Sequence, residues 1–292
     1  MSHRALWGTT LVLLLGFCSA ARAQESYFDE TVLHVKPGSG SASEALVKKV
    51  VAANREHQGD TWVAIQTAYG EGDTVRFVSV RQSYAEIQKA SDAFDAAMAK
   101  ALGHPGMEKL FADLGNDTTE SRNLLLLRRP DLSSNFPSDS AAEARIVGNT
   151  RWIRTIRIVV RIGQGPRFEE LAKQVKAAQE KAGSNVYSWV SQSIAGERTS
   201  VYYVSQLQSS LAGFDAETPL PQIMGNDAYQ SLLRTASDVI QNEDVTLGEF
   251  RPELSNPPED VVNANPSFWR PKPAAPKPAA SKPTPSKAPA KK

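Results

Sequence analysis

Cysteine is almost missing from this chain of 292 residues, and the one that occurs, Cys18, falls within a leader-like start. Residues 1–23 join a basic opening (His3, Arg4) to an apolar run from Leu11 to Phe17 and the small-residue pattern Ala21-Arg22-Ala23. That order predicts a secretory signal cleaved after Ala23 and a secreted or periplasmic protein. The mature chain then has no thiol, which excludes disulfides and Cys-ligated metal, so stability must come from an ordinary core. The apolar run is too short to span a bilayer, so no transmembrane segment is expected in the mature chain. Histidine is scarce as well. His34, His57 and His104 are the only ones after the leader, the second half has none, and no His-x-x-x-His pair occurs. Metal-ligand spacing is therefore absent. Gly-x-Ser-x-Gly is absent too, and Gly38-Ser39-Gly40 and Gly163-Gln164-Gly165 lack the further residues of nucleotide loops, so they read as tight connections. No catalytic motif, metal or cofactor is called for by the residues.

What the chain has is a repetition. Arg128-Arg129-Pro130-Asp131-Leu132-Ser133 returns as Phe250-Arg251-Pro252-Glu253-Leu254-Ser255, an offset of 122 that also superposes Leu102-Gly103-His104 on Met224-Gly225-Asn226. Earlier anchors need slightly larger offsets: Val78-Ser79 falls on Val204-Ser205 at 126, and Gly38, Gly40 and Leu46 on Gly163, Gly165 and Leu171 at 125. A conserved order of anchors with small insertions is what a duplicated domain leaves behind. The expected layout is a signal at 1–23, a first unit at 24–133, a linker at 134–153, a second unit at 154–255 and a tail at 256–292.

Within one unit the pattern predicts a strand Thr31–Lys36, then a helix with Ser41 or Ser43 as N-cap that runs to about Glu56. Strands Thr61–Tyr69 and Thr74–Arg81 follow, joined by the turn Gly70-Glu71-Gly72-Asp73. Helical stretches Tyr84–Leu102 and Pro105–Leu114 precede a last strand Arg122–Arg128. The second copy repeats the pattern with strands Val186–Ile194, Ser200–Gln206 and Val245–Phe250 and a helix Gln222–Val239. The order β-α-β-β-α-β is the ferredoxin-like split unit, an α+β arrangement that leaves one sheet face bare. Two tandem copies can cover each other's bare face by packing sheet to sheet. In this the chain resembles the dimeric α-β barrel superfamily, here as an intramolecular pseudo-dimer spanning nearly all of residues 30–255. The resemblance rests on element order, duplication and the repeated Arg-Pro-(Asp/Glu)-Leu-Ser. Haem-binding members take an axial histidine from the second domain, and this chain has none there.

Strand alternation sorts the candidate site. Leu33 and Val35 suit the helix side, so Val32, His34 and Lys36 face the barrel, as do their counterparts Arg157, Val159 and Arg161. A histidine and three cations around one space predict an anionic or carboxylate-bearing ligand. The plainer alternative is that these long side chains sit at strand ends and reach water or acids. The aromatics Trp62, Tyr69, Tyr187, Trp189, Tyr202 and Tyr203 either line an aromatic-ligand pocket or simply fill the core. His57 reads as a helix C-terminal cap and His104 as a helix-start residue matched by Asn226. The expected site is His34, Lys36, Trp62, Arg76, Arg157, Arg161, Trp189 and Tyr203, serving a non-enzymatic ligand-binding or partner-binding barrel. The rival, implied by the resemblance, is a cofactor-free monooxygenase acting on an aromatic substrate through His34, Arg76, Trp62 and Tyr84.

From Pro266 onward the chain is Pro, Ala, Lys, Ser and Thr with one Phe-Trp pair, and carries seven cations without an acid. Such a composition predicts an extended, solvated leash. The formal charge of +1 becomes −1 when Arg4 and Arg22 leave with the signal, and about −8 for the body without the leash. A basic leash on an acidic body suits anionic envelope polymers or lipid headgroups, or serves only to solubilise. Nucleic acid is not an expected partner.

Overall fold

The structure is a computed structural model and describes residues 25–271. The expected signal and most of the expected leash lie outside the described residues. The first half runs β1 (Tyr27–Val35), α1 (Gly40–Glu56), β2 (Val63–Tyr69), β3 (Thr74–Arg81), α2 (Tyr84–Asn116) and β4 (Thr118–Arg128). After α3 (Ser140–Asn149) the second half runs β5 (Trp152–Val160), α4 (Gly165–Lys181), β6 (Tyr187–Ala195) and β7 (Val201–Gln208). The short helices α5 (Ala212–Asp215) and α6 (Leu220–Met224), then α7 (Asn226–Val239) and β8 (Ile240–Phe250), complete it. The eight strands close into one antiparallel barrel ordered β1-β3-β2-β8-β5-β7-β6-β4.

Local signals account for most boundaries. α2 opens on a capping box: Ser83 accepts from the Glu86 amide while the Glu86 carboxylate accepts from the Gln82 amide. It kinks at Gly103, whose φ of 67° suits glycine, and Gly225 at the matching place of the second half has φ 82°. The two helical stretches expected there are both present and meet at Gly103, whose ψ of 162° is not helical. The start of α1 differs from expectation. It begins at Gly40 with Ser39 in the capping position, whose side chain caps nothing and whose carbonyl accepts the first helical bond from the Ser43 amide.

Helices cover the outside of the wall. Val47, Val50 and Val51 of α1 and Met98 and Leu110 of α2 pack on Ala64 and Val75, while Phe168 and Leu171 of α4 and Val239 of α7 pack on Ile158, Val160, Val190 and Tyr202. Alternate strand residues turn inward. Val32, Leu124, Leu126, Val159, Val201 and Tyr203 meet inside the barrel. The parity expected for Leu33 and Val35 outside, and for Val32 and Val159 inside, agrees with this placement.

The halves do more than face each other. Their edges are hydrogen-bonded, β2 to β8 (Ile65 opposite Phe250) and β4 to β6 (Leu126 opposite Ser193), so no edge strand is left open. The repeated Arg-Pro-(Asp/Glu)-Leu-Ser explains why these seams hold. At one seam the Arg129 amide donates to Val190 O, and the Val190 amide donates to Ser133 Oγ, which in turn donates to Arg129 O. At the other seam the Arg251 amide donates to Ala64 O, the Ala64 amide to Ser255 Oγ, and Ser255 Oγ to Arg251 O. Leu132 enters the helix-side core of the second half and Leu254 that of the first. Arg129 grips Glu169 of α4 with two nitrogens at 2.7 and 2.9 Å, and Arg251 reaches Glu44 of α1 at 3.1 Å. Hydrogen bonds from Arg129 hold the Glu169 and Asp131 carboxyls below the usual carboxylate range. Each half therefore ends by fastening itself into the other.

Ser133 and Ser255 are fully buried, so an alanine at either place strands an amide that no water can reach. We expect Ser133→Ala and Ser255→Ala each to cost about 1–3 kcal/mol in urea unfolding, with the double variant losing close to the sum. A loss below about 0.5 kcal/mol for both would remove the clasp from the account of stability.

Candidate functional site

A chamber of about 300 Å³ occupies one end of the barrel, at the lower end of the size of small-molecule sites. Its wall is mostly apolar and aromatic: Phe28, Val63, Ile65, Val78, Leu126, Ile153, Trp189, Tyr203 and Phe250 all line it. All but Trp189 and Tyr203 were missed in the sequence. Exposed Gln82, Ser140 and Asp260 mark its open side.

Two segments close that end of the barrel. The stretch 134–153, expected to be a plain linker, contains α3, and Asp139 caps it by accepting from the Ala142 amide at 2.7 Å. That backbone bond, together with the Ser138 hydroxyl, pulls the Asp139 carboxyl below its ordinary range. The expected tail also begins too early. Residues 256–271 are ordered, with α8 (Glu259–Ala264) and α9 (Pro266–Trp269), and Arg270 pairs with Glu259. Trp269, half of the only aromatic pair there, is 1% exposed and donates its indole N–H to Gly148 O at 3.0 Å. Aromatic area buried on this scale outweighs the preference of the surrounding Pro-rich sequence for solvent. Ala144 and Val147 of α3, Val261 of α8, and Trp269 join Ile65, Phe250 and Ile153 in one cluster over the barrel end. Arg128 ties the strand end to this cap, bonded to Glu143 of α3 at 2.8 Å and lying over the rings of Phe28 and Phe136.

Hydroxyls of Thr67, Thr155, Ser191, Ser205 and Thr246 also line the chamber, and its wall carries one buried ion pair. Arg76 Nη1 lies 3.2 Å from Glu30 Oε1, and its guanidinium sits 5.8 Å from the centre of the Tyr203 ring. Burial pulls the Arg76 pKa down, but Glu30 and then Tyr203 outweigh it and leave the guanidinium above its ordinary value. Burial and its bond to Glu197 push the Tyr203 hydroxyl upward. Glu30, with a side chain 6% exposed, keeps a second oxygen, Oε2, that no described residue bonds, and the buried Trp189 Nε1–H likewise has no acceptor. By strand register the counterparts of Glu30 and Arg76 in the second half are Thr155 and Tyr203, so the ion pair has no twin.

Of the site residues expected from sequence, Arg76, Trp189, Tyr203 and Trp62 line the chamber, though Trp62 packs chiefly among the helix-side core and donates to Leu254 O at 2.8 Å. The other four do not. The interior cluster around Val32 and Val159 separates them from it. His34 contacts Thr74 Oγ1 at 3.1 Å, and Arg157 is held by Glu197 at 2.9 Å and by Asp244 at 3.4 Å. Lys36 lies past the end of β1, where it donates to Asn116 O, and Arg161 is exposed past the end of β5. The cations expected to surround one space are therefore dispersed: Arg157 is paired with acids, Lys36 is bonded to a backbone carbonyl and Arg161 is exposed. Tyr84, 63% exposed, stands outside as well, so the set His34, Arg76, Trp62 and Tyr84 does not assemble. The expected strand Thr31–Lys36 leaves Glu30 out, whereas β1 begins at Tyr27. Alternation carried back two residues from Val32 places it inward. Among the described residues no group of three His, Cys, Asp or Glu could hold a metal, and no helix is long and apolar enough to cross a membrane.

No protein-family model and no curated protein sequence matches the chain. The solved structures that resemble it are dimeric α-β barrel proteins. An anthrone oxidase-like protein is 11% identical, over 79% of this chain and 92% of its own, with a TM-score of 0.49. A protein assigned provisionally as a monooxygenase, from Lactobacillus acidophilus, is 9% identical over 77% and 93%, with a TM-score of 0.45. A chlorite dismutase variant from Candidatus Nitrospira defluvii is 12% identical over 82% and 94%, with a TM-score of 0.44. Likeness at this level does not extend to chemistry.

The cap depends on Gly148, where a Cβ would stand 2.4 Å from Ala264 Cβ and 2.8 Å from Val261 O. We expect Gly148→Ala to push α8 off α3 at a cost of about 1–3 kcal/mol. Acrylamide quenching should then reach a tryptophan that is protected in the unsubstituted protein, and unchanged quenching would mean that the cap tolerates the methyl group.

Proposed function

We propose that the capped end of the barrel is a binding chamber for one small, largely apolar molecule. The observation that carries this is the Glu30–Arg76 pair with Glu30 Oε2 left over inside an apolar wall. A buried ion pair rarely stabilises a fold more than apolar side chains of the same volume would. An unserved carboxylate oxygen costs a further 1–3 kcal/mol or so, a burden that packing alone gives no reason to keep. The partnerless indole N–H of Trp189 supports the same reading from another strand.

Catalysis is the second reading, and the observation that favours it is the same free oxygen. A carboxylate facing an apolar chamber is placed to accept a proton from a bound aromatic substrate, as a cofactor-free monooxygenase-like enzyme requires. In this reading Arg76 holds the carboxylate in place, and neither His34 nor Tyr84 takes part.

The two halves, matching in strand order and in their clasps, are read as tandem ferredoxin-like units fused into one barrel. Export through the leader at 1–23, and attachment to anionic envelope polymers or lipid headgroups through the cations beyond residue 271, complete the proposal. In it the protein acts as an exported carrier or sensor.

Filling the chamber tests the first reading. Ser205 lines the wall opposite Thr155, and Ser205→Phe should occupy the space that a ligand needs. The expected result is that small molecules found by native mass spectrometry on protein purified from its host disappear from the variant while its melting temperature holds within a few degrees. Retention of the same molecules by the filled variant would defeat the chamber reading. For catalysis, Glu30→Gln should lower kcat on the recovered molecule about a hundredfold or more, well beyond its effect on affinity. A parallel loss of both would confine Glu30 to binding.

A further inference from the structure

The charge balance of the chamber narrows what it accepts, an inference that rests on the binding reading above. The charged side chains that line it are Glu30, Arg76, Glu143 and Asp260. Glu30 and Arg76 neutralise each other, Glu143 is neutralised by Arg128 behind it, and Asp260 is exposed at the rim. The deep part is thus electrically balanced before anything binds. A carboxylate entering it would compete with Glu30 for Arg76 and lie against a second carboxylate. An ammonium would meet the Arg76 guanidinium and add a charge that nothing inside offsets. Either brings an uncompensated charge out of water into an apolar wall, which is the costliest transfer available.

The two polar atoms without partners specify the rest. Glu30 Oε2 is an acceptor that lacks a donor, and Trp189 Nε1–H is a donor that lacks an acceptor. The residues lie on β1 and β6, the two strands that flank β4 in the wall, and both atoms are buried. We infer that the chamber selects neutral molecules with a hydroxyl or similar hydrogen-bond donor on an apolar body, and that it turns away carboxylates of the same shape. The donor goes to Glu30 Oε2, and an acceptor elsewhere on the molecule takes the Trp189 N–H. The ligand is neutral, where counting histidine and cations on strand faces suggests an anion. The selecting residues are one carboxylate and one indole.

The test is calorimetric titration of the full-length protein at pH 7 with four probes that share one skeleton: 2-naphthol, 2-methoxynaphthalene, 2-naphthoate and 2-naphthylmethylamine. The expected order puts 2-naphthol tightest, about tenfold or more over the methoxy compound, which is the effect of one hydrogen bond to an ionised carboxylate. The naphthoate should be weaker than 2-naphthol by at least the same factor. Glu30→Gln should erase the preference for 2-naphthol over its methyl ether and raise the naphthoate above both, because Arg76 is then unneutralised. If that variant does not fold, the order of the four probes on the unsubstituted protein decides alone. Equal affinity for 2-naphthol and 2-methoxynaphthalene would mean that water serves Glu30 Oε2, and would overturn the inference while leaving the chamber reading intact. Tightest binding of the naphthoate or the amine would overturn it as well. Failure of all four to bind would overturn both together.

Discussion

Everything in this molecule depends on the exchange of chain ends between its halves. A four-stranded sheet covered by helices on one side cannot stand in water with its other face bare, and its two edge strands invite further pairing. The chain meets both demands with one short motif used twice. Arg129 to Ser133 and Arg251 to Ser255 each leave their own half, pair with the neighbouring wall strand, and place a leucine in the other half's helix-side core. The same residues also bring an arginine to Glu169 or Glu44, so the outer helix, the wall and the seam are fixed at one place. Sealing the barrel and stabilising each half's core are in this sense one act.

With the wall closed, its interior divides by length. The middle is filled by valine, leucine and Tyr203. One end is occupied by acids and bases that satisfy each other, with Arg157 between Glu197 and Asp244. The other end stays open enough for a chamber because its cover comes from outside the two repeats, from α3 and from α8 with α9. The cap adds Ser140 and Asp260 at the rim and Glu143, which Arg128 neutralises, while the wall supplies apolar and aromatic surface, one ion pair and two buried polar atoms that no described residue bonds.

The sequence revealed the repeat, the order of elements and the inward or outward sense of β1 and β5, because alternation and the Arg-Pro-(Asp/Glu)-Leu-Ser echo are written in adjacent residues. It also offered Arg76, Trp189 and Tyr203 among its site candidates, and these line the chamber. It misled where distance along the barrel axis mattered. Parity says which face a side chain takes but not how far along the barrel it lies, so His34 and Arg157 were grouped with residues beyond a packed interior cluster. The cap was hidden for a different reason. Asp139-Ser140-Ala141-Ala142-Glu143 has the form of a helix start, and Phe268-Trp269 is a conspicuous aromatic pair in polar surroundings. Both were absorbed into a linker and a tail because they fall outside the repeat. The meaning of Glu30 needed coordinates, since only they show that one of its oxygens is bonded and the other is not.

The lack of a twin for the Glu30–Arg76 pair has a consequence for stoichiometry. In a barrel of two identical subunits related, as the strand order here implies, by an axis along the barrel, every inward side chain occurs twice at one level, so an acid and a base would come as two pairs. Joining the halves in one polypeptide frees Thr155 and Tyr203 to differ from their counterparts, and supplies connecting segments that cover one mouth only. The barrel thus carries one buried ion pair where two identical subunits would have carried two equal ones.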